Sequence, residues 1–210
     1  MLTHNAFGYQ RKAPCSGEMG RAASLQRAAP FDVMPLVEDP ALEVRQPARD
    51  EIEPMLARAS TEIGAPLASN AAVRSILAHD PQSVWLFLRA GRPIGTFALL
   101  FLNRAGVAAL RADRLDLRAP SLELLAEADE RPCGIYFWAM LARGRAAAGV
   151  SRVFRLLRTG RYAAVDLWAL PYTADGRRFA DRLGFEPVPD AGQGGLMCCK
   201  RWQLPGEKAV

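Results

Sequence analysis

Hydrophobic positions follow two spacings along the chain, and the spacing switches repeatedly between residues 42 and 204. Alternating or continuous apolar runs predict strands at 42–48, 83–89, 93–102, 133–142, 163–170, 185–188 and 195–204. Apolar residues three and four apart predict helices that follow Asp50, Ser69 or Asn70, Arg143 and Thr173. This order of strands and helices predicts a mixed α/β (α+β) fold with a central sheet flanked by helices.

Turn and capping residues support these assignments. The sequence Ala-Gly-Arg-Pro at 90–93 separates two β-rich runs and predicts a hairpin. Gly160 is a candidate C-terminal stop for the helix that follows Arg143. Thr173 is a candidate N-cap and Gly184 a candidate left-handed stop, so the helix between them is well bounded.

The length of 210 residues favours one domain with a sizeable core. Residues 1–30 show neither spacing, so we expect a flexible tail there, a single domain over 31–205 and a short tail at 206–210. Residues 103–131 are charged and rich in Ala and Leu, which predicts an inserted helical segment before the central strand.

Composition narrows the class of protein. Half of the residues are hydrophobic and 23% are charged, as in ordinary globular domains. Arg89 and Arg92 interrupt the longest apolar stretch, and the start of the chain lacks the apolar core of a secretory signal. We therefore expect a cytoplasmic protein that does not span a membrane. The four cysteines have neither metal-ligand nor disulfide-framework spacing, so no metal site is predicted.

The net charge of +5 comes almost entirely from arginine. A basic balance is compatible with phosphate-bearing partners but does not choose among coenzymes, RNA and DNA. Arg145, Arg152, Arg155 and Arg158 form a partial basic face on or near one predicted helix. That face would meet coenzyme phosphates or an acidic partner, or would simply stay hydrated.

Two motifs carry a family resemblance. The first is Ala-Arg-Gly-Arg-Ala-Ala-Ala-Gly-Val at 142–150, where small residues follow an apolar strand and open a helix. The second is 173–188, where a helix ends in Leu183-Gly184-Phe185. With the order of elements, these motifs make residues 42–204 resemble the GNAT superfamily of acyl-CoA-dependent N-acyltransferases, whose central mixed sheet is splayed.

The resemblance implies a site for acetyl-CoA or another acyl-CoA as co-substrate. The family pattern, Arg or Gln followed by spaced small residues, wraps the pyrophosphate of coenzyme A. Helix-start amides and the helix dipole favour an anion in such a turn. Ala146 stands where the family prefers Gly, and we expect it to narrow that approach, so that Ala146→Glu would abolish coenzyme binding. The implied coenzyme-binding residues are Met140, Leu141, Arg143, Gly144, Arg145, Ala146, Ala147, Ala148 and Gly149.

In the second motif the residues that would pack in the core match the family pattern, whereas the residue that would act in the reaction differs. Thr173 stands in the place of a family Asn, and Ala180 stands in the place of a family Tyr that protonates the departing thiolate. Tyr172 is the candidate replacement for that phenol, with strand packing as its structural alternative. Glu130 is a candidate acceptor for the amine proton, and a solvated acidic loop is the alternative there. The catalytic candidates are thus Tyr172, Thr173 and Glu130.

Three functions remain open from the sequence. The first is an N-acyltransferase that moves an acyl group to an amine by direct attack, the acceptor being a small molecule or a protein. The second is a GNAT-fold protein that binds acyl-CoA or a partner without turnover, which the changes at Ala146, Thr173 and Ala180 favour. The third is a nucleic-acid-directed member of the fold, supported only by the arginine excess. Exposed sheet edges are compatible with a homodimer.

Overall fold

The computed structural model describes residues 29–63, 68–192 and 194–201. The strands are β1 Leu42–Arg45, β2 Val84–Arg89, β3 Arg92–Leu102, β4 Gly134–Ala142, β5 Leu167–Ala169, β6 Glu186–Pro187 and β7 Met197–Cys199. The α-helices are α1 Pro30–Val33, α2 Ile52–Ile63, α3 Asn70–His79, α4 Arg104–Arg111, α5 Ala147–Leu157 and α6 Ala174–Arg182. The predicted tails, apart from residues 29 and 30, and the end of the last predicted strand lie outside the described residues.

The strands form one mixed sheet in the order β1-β2-β3-β4-β5-β7-β6. Neighbouring strands are antiparallel except β4 and β5, which run parallel. Parallel neighbours need a crossover connection, and α5 provides it. This arrangement confirms the predicted mixed α/β class. No helix in the described ranges has the length and apolar content needed to cross a bilayer.

The predicted hairpin joins β2 to β3. Ala90 and Gly91 have φ angles of 48° and 70°, and two successive left-handed residues are the signature of a type I′ turn. Arg89 pairs with Arg92 across this turn. The turn twist matches that of the strands, so the hairpin fixes the register at this end of the sheet.

The sheet is the middle of three layers, because alternate residues of β3 face opposite helices. Phe97, Leu99 and Phe101 belong to a core cluster that includes buried residues of α5 and α6. Leu100 and Leu102 face the other way and pack with residues of α3 and α4. α2 covers the same side nearer to β2. The central strand is therefore covered on both faces, as the apolar run at 133–142 predicts.

Of the two helices that follow the central strand, α6 ends where the sequence predicts and α5 does not. Thr173 caps α6 by accepting a hydrogen bond from the Gly176 N–H at 3.0 Å, and Gly184 follows with a φ of 82°, as predicted. α5 ends earlier than predicted, at Leu157. Gly160, with a φ of 55°, opens a separate 3-10 turn instead of stopping α5.

The predicted insertion at 103–131 is only partly helical. Asn103 caps α4 by accepting a hydrogen bond from the Gly106 N–H at 2.9 Å. The second apolar segment forms a 3-10 turn, Leu122–Leu124, followed by a bridge to β3. A Cβ added to Gly106 would lie 2.1 Å from the Leu124 carbonyl oxygen, so α4 packs directly against that turn.

The segment before β1 is held on the domain by its own buried contacts. Phe31 is fully buried. The buried guanidinium of Arg201 pairs with Asp32, with Nη2 and Oδ1 2.7 Å apart. It also donates to the carbonyls of Leu157 at 2.9 Å and Tyr162 at 3.0 Å. Arg201 thereby links the first and last described segments of the domain.

Candidate functional site

The sheet opens between β4 and β5. The two strands pair at three positions, Ile135 with Leu167, Tyr136 with Trp168 and Phe137 with Ala169. β5 ends there, whereas β4 continues to Ala142 with β3 as its only neighbour in the described sheet. One main-chain edge of β4 beyond Phe137 therefore faces a gap.

A β-bulge lies where the gap begins. In the ladder with β3, Phe137 pairs with Leu99 and Ala139 pairs with Ala98, so Trp138 is an extra residue. Phe137 packs in the cluster under α5 and α6, while Trp138 and Ala139 both pack towards α2. A bulge breaks the strict alternation of a strand and bends it. The bulge thus turns the free edge of β4 into the opening.

A cleft of about 190 Å³ passes through this opening from one face of the sheet to the other. On the side of α5 and α6 it is bounded by Phe137, Met140, Phe179, Ala180, Leu183 and Phe185. On the side of α2 and α3 it is bounded by Met55, Leu56, Ala59, Val73, Trp138 and Ala139. The cleft is therefore bounded by both layers of helices.

The lining of the cleft is apolar, and no described residue in it is charged. Two of its polar side chains are already used. The Thr96 hydroxyl donates to the Trp85 carbonyl at 2.8 Å, and the Trp138 indole N–H donates to the Leu117 carbonyl at 2.8 Å. A third, the Thr173 hydroxyl, accepts the capping hydrogen bond from the Gly176 N–H, which leaves the hydroxyl groups of Tyr136 and Tyr172.

Tyr136 brings a buried phenol to the cleft. Its side chain is 1% exposed, and burial raises its pKa well above the ordinary value, with a further contribution from Tyr172. No hydrogen bond from the described part of the chain reaches its hydroxyl. The phenol therefore keeps its proton, and the raised pKa makes it a weaker acid than an exposed tyrosine.

The turn after β4 is exposed and leads directly into α5. Gly144 has a φ of 56°, a left-handed value that favours glycine. The N–H groups of Ala146 and Ala147 are used within the turn, donating to the carbonyls of Arg143 and Gly144. The N–H groups of Gly144 and Arg145 open the turn and have no intrahelical partner. These two amides are the ones available to an anion.

The small residues that follow have a packing role. Ala146 is fully buried, and a Cβ added to Gly95 would lie 3.0 Å from its methyl carbon. Ala148 is also buried, while Ala147 is exposed. The expectation that Ala146 narrows an anion site is therefore wrong, because its side chain points into the core. Ala146→Glu would disturb folding before it could report on coenzyme binding.

A basic groove of about 400 Å³ adjoins the turn. Its charged lining residues are Arg58, Glu62, Arg89, Arg143 and Arg145. Arg58 pairs with Glu62, with Nε and Oε1 3.1 Å apart. Within the described ranges no carboxylate pairs with Arg89, Arg143 or Arg145. The groove therefore has an uncompensated positive charge next to the exposed turn.

The predicted basic face on α5 is partly used for structure. Arg155 pairs with Glu38 in the segment before β1. Arg158 donates to the carbonyls of Phe31 and Met34, the latter at 2.9 Å. Of the four arginines of that face, Arg145 is the one that lines the basic groove.

The fold has known counterparts among solved structures, although neither a protein-family model nor a curated protein matches the sequence significantly. The loading GNATL domain of CurA from Lyngbya majuscula matches with a TM-score of 0.54 and 10% identity, over 76% of this chain and 97% of that one. The GphF GNAT-like decarboxylase, solved in complex with isobutyryl-CoA, matches with a TM-score of 0.51 and 13% identity, over 75% and 98%. Ard1 from Thermoplasma volcanium matches with a TM-score of 0.50 and 14% identity, over 78% and 99%.

The chain has the GNAT fold. The predicted splay of a GNAT sheet is the loss of pairing between β4 and β5 after Phe137. Ala180 is buried and lines the cleft. Thr173 lines the cleft and caps α6.

The catalytic candidates from the sequence lie in two separate places. Tyr172 is 63% exposed at the mouth of the cleft, next to Thr173. Glu130 lies in a turn before β4, where its carbonyl accepts a hydrogen bond from Arg161 at 2.8 Å. That turn precedes the N-terminal end of β4, whereas the bulge is at Trp138 in the middle of the strand. Glu130 is not among the residues that line the cleft.

Sequence reasoning missed the contribution of α2 and α3 to the site. Met55, Leu56 and Val73 occur at helical spacing, and such a stripe is read as a core-facing surface. In the sequence, the apolar stripe of a helix looks the same whether the helix covers a cleft or a filled core. The only available signal is the small size of residues such as Ala59, which leaves space beside the larger side chains.

Proposed function

We propose that the protein is an acyl-CoA-dependent N-acyltransferase that transfers an acyl group to an amine by direct attack. The observation that carries this proposal is the free edge of β4 beyond Phe137, which begins in a bulge and ends at the exposed turn of α5. A thioester lying along that edge would find main-chain groups beside its carbonyl and helix-start amides beside its phosphates.

The coenzyme would enter on the side of α5 and α6. The amides of Gly144 and Arg145 and the guanidinium groups of Arg143 and Arg145 would bind its phosphates. Met140 and Leu141 would lie along the pantetheine arm, since both belong to the free stretch of β4. The isobutyryl-CoA complex of the GphF decarboxylase supports an acyl-CoA as the ligand of such a fold.

The reaction needs a neutral amine and a polarised thioester carbonyl. The amine nitrogen attacks the carbonyl carbon, a C–N bond forms and the C–S bond breaks. The amine loses one proton and the departing thiolate gains one, so the products are an amide and free coenzyme A. Main-chain N–H groups between Trp138 and Leu141 would stabilise the charge that develops on the carbonyl oxygen.

The proton for the thiolate would come from a tyrosine other than the family one. Ala180 has no proton to give, whereas Tyr172 and Tyr136 both present a hydroxyl to the cleft. Tyr172 is the donor that we propose, because it lies at the mouth on the α6 side. Tyr136 lies deeper and is the alternative.

Coenzyme binding and turnover can be tested separately. Acyl-CoA should raise the thermal unfolding temperature, because a ligand at about a hundred times its Kd adds roughly 2.7 kcal/mol of stability. Release of free thiol from acyl-CoA in the presence of an amine panel should then report transfer. A thermal shift with no thiol release would favour the second candidate, a protein that binds acyl-CoA without turnover.

The second candidate rests on the cleft lining. Ala180 replaces the family tyrosine, and no described lining residue is a carboxylate or an imidazole. If neither acetyl-CoA nor isobutyryl-CoA shifts the unfolding temperature, both candidates fail. Association with RNA that weakens with salt and needs no coenzyme would then favour the nucleic-acid-directed alternative.

A further inference from the structure

The half of the cleft beneath α2 and α3, here called the acceptor compartment, is apolar and buried. Met55, Ala59 and Val73 form its helical wall, and each is less than a tenth exposed. Trp138 and Ala139 form its floor, because the bulge turns both residues towards α2. This compartment lies on the other face of the sheet from the lining contributed by α5 and α6, so an acceptor held in it would face the thioester across the gap.

The carboxylates on the elements around this compartment are exposed to solvent or bonded to other groups of the protein. Glu53 is exposed, and Glu62 pairs with Arg58. Asp116 accepts a hydrogen bond from the main-chain N–H of Arg118 at 2.8 Å. Glu51 is paired with Arg45, and Asp175 is paired with Arg178.

The basic side chains of α2 and α3 are bonded to groups outside the cleft lining. Arg58 donates to the Pro93 carbonyl and pairs with Glu62. Arg74 donates to the Arg49 carbonyl at 3.4 Å, and the His79 ring bonds the Ala126 carbonyl at 2.9 Å. Asp50 is exposed and lines an adjoining groove that shares Met55 and Thr96 with the cleft. The titratable side chains that line the cleft itself are Tyr136 and Tyr172.

These surroundings limit what the compartment can accept. An ammonium ion in this compartment loses hydration and finds no carboxylate in the described lining to compensate its charge, which is unfavourable. A second positive charge on the acceptor would meet the same cost. No carboxylate or imidazole in the described lining is available to remove a proton from an ammonium after it enters.

We propose that the acceptor is a monoamine with an apolar body that enters the compartment in its neutral form. This inference rests on the proposed function and names the acceptor class for the same site. Polyamines, amino acids and lysine side chains in charged peptides are excluded as efficient acceptors, because each brings a further charge into the apolar space.

The first experiment uses two acceptors of equal length. Pentylamine and 1,5-diaminopentane differ by one terminal amine, which is charged at neutral pH. With acetyl-CoA and the full chain, thiol release should give kcat/KM at least about tenfold higher for pentylamine, because burying one unpaired polar group costs about 1.4 kcal/mol or more. Equal or better use of the diamine would overturn the proposal.

A pair of variants on α2 tests the compartment directly. Leu56→Glu adds a carboxylate to the lining, and Ala57→Glu adds the same charge on the exposed face of the same helix. We expect Leu56→Glu to reduce or reverse the preference for pentylamine and Ala57→Glu to retain it. If Leu56→Glu does not fold, the comparison of acceptors with the unaltered chain still decides the matter.

The pH dependence provides a third readout. Benzylamine has a lower pKa than pentylamine. At a pH between the two pKa values, a larger fraction of benzylamine than of pentylamine is therefore neutral. The rise of kcat/KM with pH should therefore move to lower pH for benzylamine. A midpoint that stays fixed for both amines would reveal a base on the protein and overturn the proposal, and Asp50→Asn would then test the nearest exposed carboxylate.

The failure of this inference differs from the failure of the proposed function. Acyl-CoA that gives neither a thermal shift nor thiol release overturns the acyltransferase and the acceptor class together. Acyl-CoA that binds and reacts with the diamine, but not with pentylamine, overturns the acceptor class alone.

Discussion

Gly149 of α5 lies directly against the ring of Phe87 in β2, so that a Cβ at position 149 would be 2.5 Å from the ring Cγ. This contact sets how closely α5 approaches the sheet. Since α5 begins at the exposed turn after β4, the same contact determines where the amides of Gly144 and Arg145 lie relative to the cleft. Gly149 thus supports the coenzyme site by packing and not by touching a ligand.

We expect Gly149→Ala to destabilise the protein although alanine is the better helix former. Overpacking costs about 1–3 kcal/mol, whereas replacing a helical glycine by alanine gains only about 1 kcal/mol. Urea denaturation should therefore show a lower free energy of unfolding. Adding Phe87→Leu should recover part of the loss by freeing space. An increase in stability for the single variant would contradict the observed packing.

Arg201→Met should cost about 3–5 kcal/mol of unfolding free energy. The substitution leaves Asp32 without its ion pair and removes the donor from buried carbonyl groups, and breaking a buried pair on one side has costs of this size. The adjacent Lys200→Met is the control. Lys200 pairs with Asp166 at 2.6 Å but is 61% exposed, and surface pairs contribute at most about 1 kcal/mol. Similar losses for the two variants would refute the anchoring role of Arg201.

Glu51 should make stability depend on pH in the acid range. Hydrogen bonds from Arg45 and from the Ala48 main chain lower its pKa from 4.5 to about 2. A lowered carboxylate pKa contributes stability above the unfolded value, and this contribution is lost as the pH falls from 4.5 towards 2. Glu51→Gln should be less stable than the unaltered chain at neutral pH and should lose less stability across this window.

The matched control for Glu51 is Glu53, which is exposed on the same turn of chain. Glu53→Gln should retain the acid dependence of the unaltered chain. Denaturant midpoints measured at several pH values would check both variants. The same acid slope in Glu51→Gln as in the unaltered chain would show that the bond with Arg45 contributes nothing.

Ala147→Glu should weaken acyl-CoA binding without loss of stability. Ala147 is exposed in the first turn of α5, where a carboxylate repels an incoming phosphate but interacts favourably with the helix dipole by about 0.3–1 kcal/mol. Calorimetric titration with acetyl-CoA and thermal unfolding would separate the two effects. Ala147→Gln, which has similar bulk and no charge, should bind nearly normally. Unchanged affinity in Ala147→Glu would remove this turn from the coenzyme site.

Tyr172→Phe should lower kcat by about a hundredfold, the lower range for loss of a general acid. The affinity for acyl-CoA should change little, because the ring is retained. Tyr136→Phe is the companion variant, since it removes the deeper hydroxyl from the same cleft. Normal turnover in Tyr172→Phe together with a loss in Tyr136→Phe would move the proton donor to Tyr136.

Local patterns in the sequence predict most of the elements because those elements depend on neighbouring residues. The hairpin follows from Ala90-Gly91, and the bounds of α6 follow from Thr173 and Gly184. The end of α5 was misplaced because Gly160 takes its left-handed value in the next turn. A glycine near a helix end shows that a turn is close, but it does not show which residue ends the helix.

The site depends on contacts that no local pattern contains. The bulge at Trp138 arises from the registers of β3 and β4, and the inward direction of Ala146 arises from its contact with Gly95. Glu130 precedes the central strand in sequence, but it does not line the cleft beside that strand. The cleft lining combines residues from α2, α3, β4, β5 and α6, and their proximity follows only from the order of strands in the sheet.

The ring of contacts around Arg201 has a consequence during synthesis. Asp32 is synthesised early, but Arg201, whose guanidinium binds it, is synthesised almost at the end of the described domain. While the chain emerges from the ribosome, the contacts of this segment with Arg155 and Arg158 can form first, but the ion pair of Asp32 must wait for Arg201. The early helices and the β2–β3 hairpin join neighbours in sequence and need no such delay. Closure of the segment before β1 is therefore expected to be the last step in assembling the nascent domain.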